Sequence, residues 1–119
     1  MYNRMVVDVL ESERVNRVFR ALADVTRRDI VTRTLEGEHS VSALARHYRI
    51  SFAAVQKHVA VLEEAGLVTK RRRGREQLVS GDVDTVRRAA RLLDDLEGVW
   101  RSRTERMSEI LAEPEGDTP

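Results

Sequence analysis

Six residues near the middle of the chain, Lys70 to Arg75, read KRRRGR, five cations around one glycine. Guanidinium groups pair with phosphate oxygens through two parallel hydrogen bonds. A cluster of this kind therefore suits a polyanion. About twenty residues earlier stands Ser51-Phe52-Ala53-Ala54-Val55-Gln56-Lys57-His58. In a helix, Gln56 can offer paired hydrogen bonds to an adenine edge, and Phe52 and Ala53 can touch thymine methyl groups. Lys57 and His58 suit phosphates. Catalytic chemistry finds less support. There is no cysteine, and His39, His47 and His58 are eight and eleven residues apart. Neither gap puts two imidazoles on one face of one helical turn, so a metal site is not expected. No nucleotide loop and no nucleophile–base constellation is present. No enzyme activity and no cofactor are expected.

The 119 residues suit one domain, 41% are hydrophobic and 34% charged, and the formal charge is +1. The charge is unevenly spread. Residues 26–75 carry eleven Lys/Arg against five Asp/Glu, whereas residues 76–119 carry six against eleven. A basic centre beside an acidic C-terminal third points to a polyanion as partner for the centre only, the class to which double-stranded DNA belongs. The start, MYNRMVVDVLESERV, has no long apolar run, so neither a leader peptide nor a membrane span is expected. A soluble, cytoplasmic protein follows as the expectation.

The elements that must hold these residues can be read from periodicity and caps. Val15, Val18, Phe19 and Leu22 recur at helical spacing and predict a helix over Ser12–Ala23. Asp24 is the predicted N-cap of a second helix through Glu36, with Ile30, Thr34 and Leu35 inward and Arg27, Arg28 and Arg33 toward water. Val41 falls in an extended link. Ser42 is the predicted cap of a third helix, Ala43–Arg49, burying Leu44, Ala45 and Tyr48. Ser51 caps a fourth, Phe52–Ala65, with Val55, Val59 and Leu62 as its apolar stripe and Gly66 just past its end. Two helices joined by so short a turn form a helix-turn-helix. Leu67–Arg72 and Glu76–Ser80 predict a β-hairpin with Gly74 at its turn, which puts the cations at the tip. Asp82 or Asp84 then caps a helix of about thirty residues ending near Glu113, before Pro114. Its apolar positions include Val86, Ala90, Leu93, Leu96, Trp100, Met107 and Leu111. That stripe is too long for so small a core, so part of it is expected to meet a second copy. The expected class is mainly α with a small β-hairpin, a single domain over residues 1–113 and a disordered tail over 114–119.

Three stretches, LADVTRRDIV, SVSALARHYRISFAAVQKHVAVLEEAGLV and KRRRGREQLV, stand in the order and spacing of one known family. Together they resemble the ArsR family of winged helix-turn-helix transcription repressors over Val15–Ser80. The resemblance implies a homodimer paired through the first and last helices, with the fourth helix reading DNA and the hairpin as wing. Carried onto this chain, it implies DNA contacts from Ser51, Phe52, Ala53, Gln56, Lys57 and His58. It also implies contacts from Arg71, Arg72, Arg73, Gly74 and Arg75, with Arg27 and Arg28 as auxiliary phosphate ligands. Val15, Val18, Phe19, Leu93, Leu96, Trp100, Met107 and Leu111 would form the dimer interface. Phe52 has an alternative as a staple of its helix to the core, and His58 as a bridge inside the domain. Arg28 has an alternative in an internal ion pair. The chain departs from the family pattern at Val25, where proline is common, and at Phe52, Ala53 and Gln56. The latter three bear on which operator is read. The family's metal-binding Cys pair and its histidine-bearing last helix are missing here. A small-molecule effector is left unidentified. A ligand-responsive sensor and a winged helix used for protein contact are the alternative functions.

Overall fold

A computed structural model describes residues 4–112, with side chains from residue 11 onward. Five helices and three short strands follow one another as α1 (Arg4–Leu22), α2 (Val25–Glu36), β1 (His39–Ser40), α3 (Val41–Ala45), α4 (Phe52–Glu64), β2 (Val68–Arg73), β3 (Glu76–Gly81) and α5 (Val83–Ala112). One compact unit ends at Ala89 and a second begins at Ala90, so α5 contributes to both. The expected tail from Pro114 lies outside the described residues.

The first unit is organised around aliphatic side chains from all five helices, β2, β3 and the Leu67 join. Ile30, Leu44, Val55, Leu62, Leu67 and Val79 are fully buried, and Val18, Ala21, Val31, Val41, Val59, Val68 and Ala89 complete the cluster. Polar caps define where α2 to α5 start. Asp24 accepts the amide of Arg27 at 3.0 Å, and this bond is the main reason its carboxyl lies below the usual carboxylate range. Ser51 accepts the amide of Ala54 at 3.1 Å. Asp82 accepts the amides of Asp84 and Thr85 at 3.0 and 3.3 Å, so it, rather than Asp84, caps α5.

The join between α4 and β2 is tight. Gly66 has φ +80°, its amide donates to Glu63 O at 2.9 Å, and that of Leu67 donates to Leu62 O at 2.9 Å. This is the Schellman pattern, in which a left-handed residue ends the helix and two flanking apolar side chains close over it. Leu62 and Leu67 are both fully buried. A single buried knot thus links the fourth helix to the hairpin.

Four expectations change. Helix α1 starts at Arg4, eight residues before Ser12, because no glycine or proline interrupts 4–22. The third helix is Val41–Ala45 and is capped by Ser40, whose hydroxyl accepts the Ala43 amide at 3.0 Å; Ser42 is exposed in its first turn. Val41 is needed in the core, which pulls the helix start two residues earlier. The helix stops early because His47 N and Tyr48 N bond three residues back, to Leu44 O and Ala45 O, tightening the chain into turns. Val31 takes the inward place given to Leu35, which is 41% exposed. Finally, the hairpin gains a third strand. The sheet order is β1-β3-β2, with His39 opposite Val79 and Ser40 opposite Leu78. Two residues are too few to print an alternation on a sequence.

Candidate nucleic-acid interface

Helix α4 buries Val55, Val59 and Leu62 and turns Ser51, Phe52, Ala53, Gln56, Lys57 and Ala60 outward. Among the described residues, Gln56 and Lys57 make no side-chain hydrogen bond or ion pair, so their polar ends are available. Phe52 is 47% exposed and outside the core cluster, which leaves the staple role unfilled. His58 sits at the margin. It is half-buried, with Nδ1 3.4 Å from Arg27 Nη1, a contact that bridges α4 and α2.

The orientation of α4 is held from below. Tyr48, in the turn between α3 and α4, donates its hydroxyl to Asp29 Oδ2 at 2.5 Å, and Arg33 Nε donates to the same oxygen at 2.8 Å. Burial, reinforced by the Asp29 carboxylate, pushes the Tyr48 phenol up to about 12. The Tyr48 hydroxyl and Arg33 in turn hold Asp29 below its ordinary value. The clamp ties α2 to the helix-turn-helix corner. Sequence reading missed it, because Asp29 and Tyr48 are nineteen residues apart and neither belongs to a motif.

The wing is β2, β3 and the two-residue turn Gly74-Arg75. Arg71 lies opposite Leu78, Arg72 opposite Gln77 and Arg73 opposite Glu76. Gly74 has φ +63° and Arg75 does not share the left-handed region. Glycine at the first central position is the signature of a type II′ turn, whose twist suits a hairpin. The five cations, however, are not alike. Lys70 Nζ lies 3.2 Å from Glu63, and Arg71 forms a two-point pair with Glu38 at 2.8 and 2.9 Å. Arg72, Arg73 and Arg75 are exposed and carry no ion pair among the described residues. The free charge thus sits at the tip, and the base of the wing is neutralised.

Arg27 and Arg28 also have partners inside the domain. Arg27 Nε and Nη2 donate to Ala21 O and Arg20 O at 2.7 and 3.2 Å, which caps the C-terminus of α1. Arg27 is therefore half-buried rather than fully turned to water. Arg28 Nη1 donates to Leu22 O at 2.8 Å and remains exposed, a carbonyl contact in place of the ion pair considered for it. Of the expected dimer residues, Val18 is 7% exposed and belongs to the protomer core, and Phe19 packs against it. Both are thus largely spent within one chain. Leu93, Leu96, Trp100, Met107 and Leu111 are each at least half exposed. Leu92, Val99 and Ile110, which the sequence reading left out, extend the same exposed set.

The comparisons agree with this geometry. The profile of a helix-turn-helix domain family matches residues 22–71. The HTH-type transcriptional regulator Rv2034 of Mycobacterium tuberculosis is 35% identical over 102 residues, which is 86% of this chain and 92% of that protein. The transcriptional repressor SdpR of Bacillus subtilis is 32% identical over 60 residues, 50% of this chain and 67% of its own. Among solved structures, an ArsR-like transcriptional regulator from Rhodococcus sp. RHA1 superposes with a TM-score of 0.74 at 29% identity, covering 87% of this chain and 98% of that one. The chain belongs to the ArsR family of winged helix-turn-helix transcriptional regulators. It is a DNA-binding regulator, with α3–α4 as the helix-turn-helix and β2–β3 as the wing.

Proposed function

We propose that this regulator acts as a homodimeric repressor on a palindromic operator, its own promoter among its targets. The observation that carries the reading is the pairing of two exposed surfaces on one compact unit. An outward α4 face with Gln56 and Lys57 uncommitted adjoins a wing whose tip holds Arg72, Arg73 and Arg75 without carboxylate partners among the described residues. Helix α4 enters the major groove, and Gln56 reads an adenine edge while Phe52 and Ala53 meet thymine methyls. Lys57, the Ser51 helix start and the tip arginines Arg72, Arg73 and Arg75 take phosphates. Gly74 lets the tip approach the minor groove, where an arginine senses the narrow, negative trough. His58, Arg27 and Arg28 act at the margin, through groups left over from their internal bonds. Occupancy of the promoter excludes polymerase.

Association through the exposed α5 stripe pairs two such units. Two-fold symmetry then sets the reading helices about 34 Å apart, one turn of DNA. The named repressor among the relatives supports the direction of regulation. Among the described residues no helix is long and apolar enough to cross a membrane, which fits work in the cytoplasm. Binding is the whole activity, with no catalytic step.

The test is fluorescence anisotropy on DNA from upstream of its own gene and on a shuffled duplex, over a salt series. Tight, steeply salt-dependent binding to the upstream DNA alone is expected. Replacing Arg72, Arg73 and Arg75 by Ala is expected to flatten the slope by about two to three, near 0.9 for each phosphate no longer neutralised. An unchanged slope in that variant removes the wing from the interface.

A further inference from the structure

The base of the wing carries a two-point ion pair that joins distant parts of the chain. Glu38 stands just before β1, 33 residues from Arg71, yet the two side chains meet fork to fork. Nε donates to Oε2 at 2.9 Å and Nη2 to Oε1 at 2.8 Å. Ser80 Oγ donates to Oε2 as well, at 3.1 Å. The register explains how they meet. His39 pairs with Val79, so Glu38 falls beside Ser80 on β3, and Arg71 reaches it from β2 across the same face of the sheet. The carboxylate therefore spans all three strands. Its charge is well held, since Arg71, then Ser80 and the nearby Arg73, keep its carboxyl below the ordinary value. Yet the pair is open to water, with Arg71 58% and Glu38 32% exposed at the side chain. Exposure to water screens such a pair and keeps its contribution to folding modest, although two-point Arg–carboxylate geometry is the kind that adds measurable stability.

We infer that Glu38 is a specificity-determining residue of the DNA interface, which holds Arg71 back from phosphate and fixes the wing over the sheet. The inference rests on the DNA-binding reading above and deepens it. Arginine–phosphate pairs form with any DNA sequence, so each one adds to sequence-independent affinity. A wing with all its cations free would grip arbitrary duplexes more firmly. Glu38 withholds one cation at the base and leaves the three tip arginines to act. It also limits where the tip can go, because β2 is tethered to β1 by the pair. The wing then meets phosphates in the position set by the fold rather than in whatever position a random duplex offers. Among the wing cations, Lys70 is treated alike by Glu63, but through a single nitrogen.

Three variants test this: Glu38→Gln, Arg71→Gln and the double change. All are measured by anisotropy against the upstream and shuffled duplexes over a salt series, with thermal melting alongside. Glu38→Gln keeps an acceptor for Ser80 and frees the guanidinium. Its salt slope is expected to steepen by about 0.9, one more phosphate neutralised, and its affinity for the shuffled duplex to rise about three- to tenfold, on the order expected for such a pair. Arg71→Gln breaks the same pair without freeing a cation, so its slope should match the wild type. The double variant should return to the wild-type slope. A Glu38→Gln slope equal to that of wild type overturns the inference, whether or not affinity or melting changes. Equal steepening in Glu38→Gln and Arg71→Gln also overturns it, because loosening of the wing would then be the cause. Wild-type protein that binds neither duplex would sink the DNA-binding reading itself, and this inference with it.

Discussion

Helices α4 and α5 both carry an apolar stripe, and they dispose of it in opposite ways. In α4 the stripe of Val55, Val59 and Leu62 is buried within the chain, and the opposite face is polar and free. In α5 only Thr85 and Ala89 are buried, whereas Leu93, Leu96, Val99, Trp100, Ile110 and Leu111 are each more than half exposed. A helix whose apolar face is satisfied at home can offer its other face to a foreign molecule. One whose apolar face is unsatisfied is left with apolar surface to cover. The same amphipathic pattern is thus covered within the protomer in one case and left open in the other, the contrast on which the proposed recognition and assembly roles rest. What separates them is how much of the stripe the protomer can cover.

The sharpest way to break that contrast is to cut into each stripe. Leu62→Ala opens a void under α4, beside the Leu62–Leu67 closure, and is expected to cost about 2–5 kcal/mol of stability in urea or thermal unfolding. Leu96→Asp should leave folding intact by circular dichroism. It should weaken dimerisation about a hundredfold, about 2.8 kcal/mol, in analytical ultracentrifugation. If Leu96→Asp unfolds the chain, the stripe belongs to the protomer core after all. On the polar face, Gln56→Ala should relax base preference at one operator position by about 1–3 kcal/mol in a binding-site selection, with melting unchanged. The smallest effect concerns the clamp under α4. Asp29 is held below its ordinary value of 3.8 by Tyr48 and Arg33. A carboxyl lowered by folding adds stability above its unfolded pKa and loses it as pH falls through the lower folded one. Asp29→Asn should therefore show a flatter decline of melting temperature below about pH 4 than the wild type.

Much of this architecture was legible in the sequence. Asp24, Ser51 and Gly66 mark helix ends through local backbone bonds, and each stands where a cap is required. The stripe of α4 and the Gly74 turn are equally local. Elements that depend on partners far along the chain were not legible. Strand β1 has two residues and exists because β3 lies beside it. The start of α3 at Val41 was set by the core's demand for that side chain. The candidate interface was legible in the same measure. Residue type put cations at the wing, but nothing in KRRRGR distinguishes Arg71 from Arg72. Glu38 makes the distinction, and only the sheet register brings it near. In the same way Arg27 looked like a free cation until the end of α1 supplied its carbonyls.

The outward face of α4 has a consequence for how such regulators diverge. Gln56 and Lys57 hold up nothing, having no side-chain hydrogen bond among the described residues. Substitutions there meet little resistance from folding, whereas the clamp and the Schellman knot resist change. If Gln56 and Lys57 read the operator as proposed, one copy can drift after gene duplication toward a new promoter through these few surface positions while its scaffold stays fixed. Old and new regulators can then share a cell, differing in the sequences they occupy and hardly at all in how they fold.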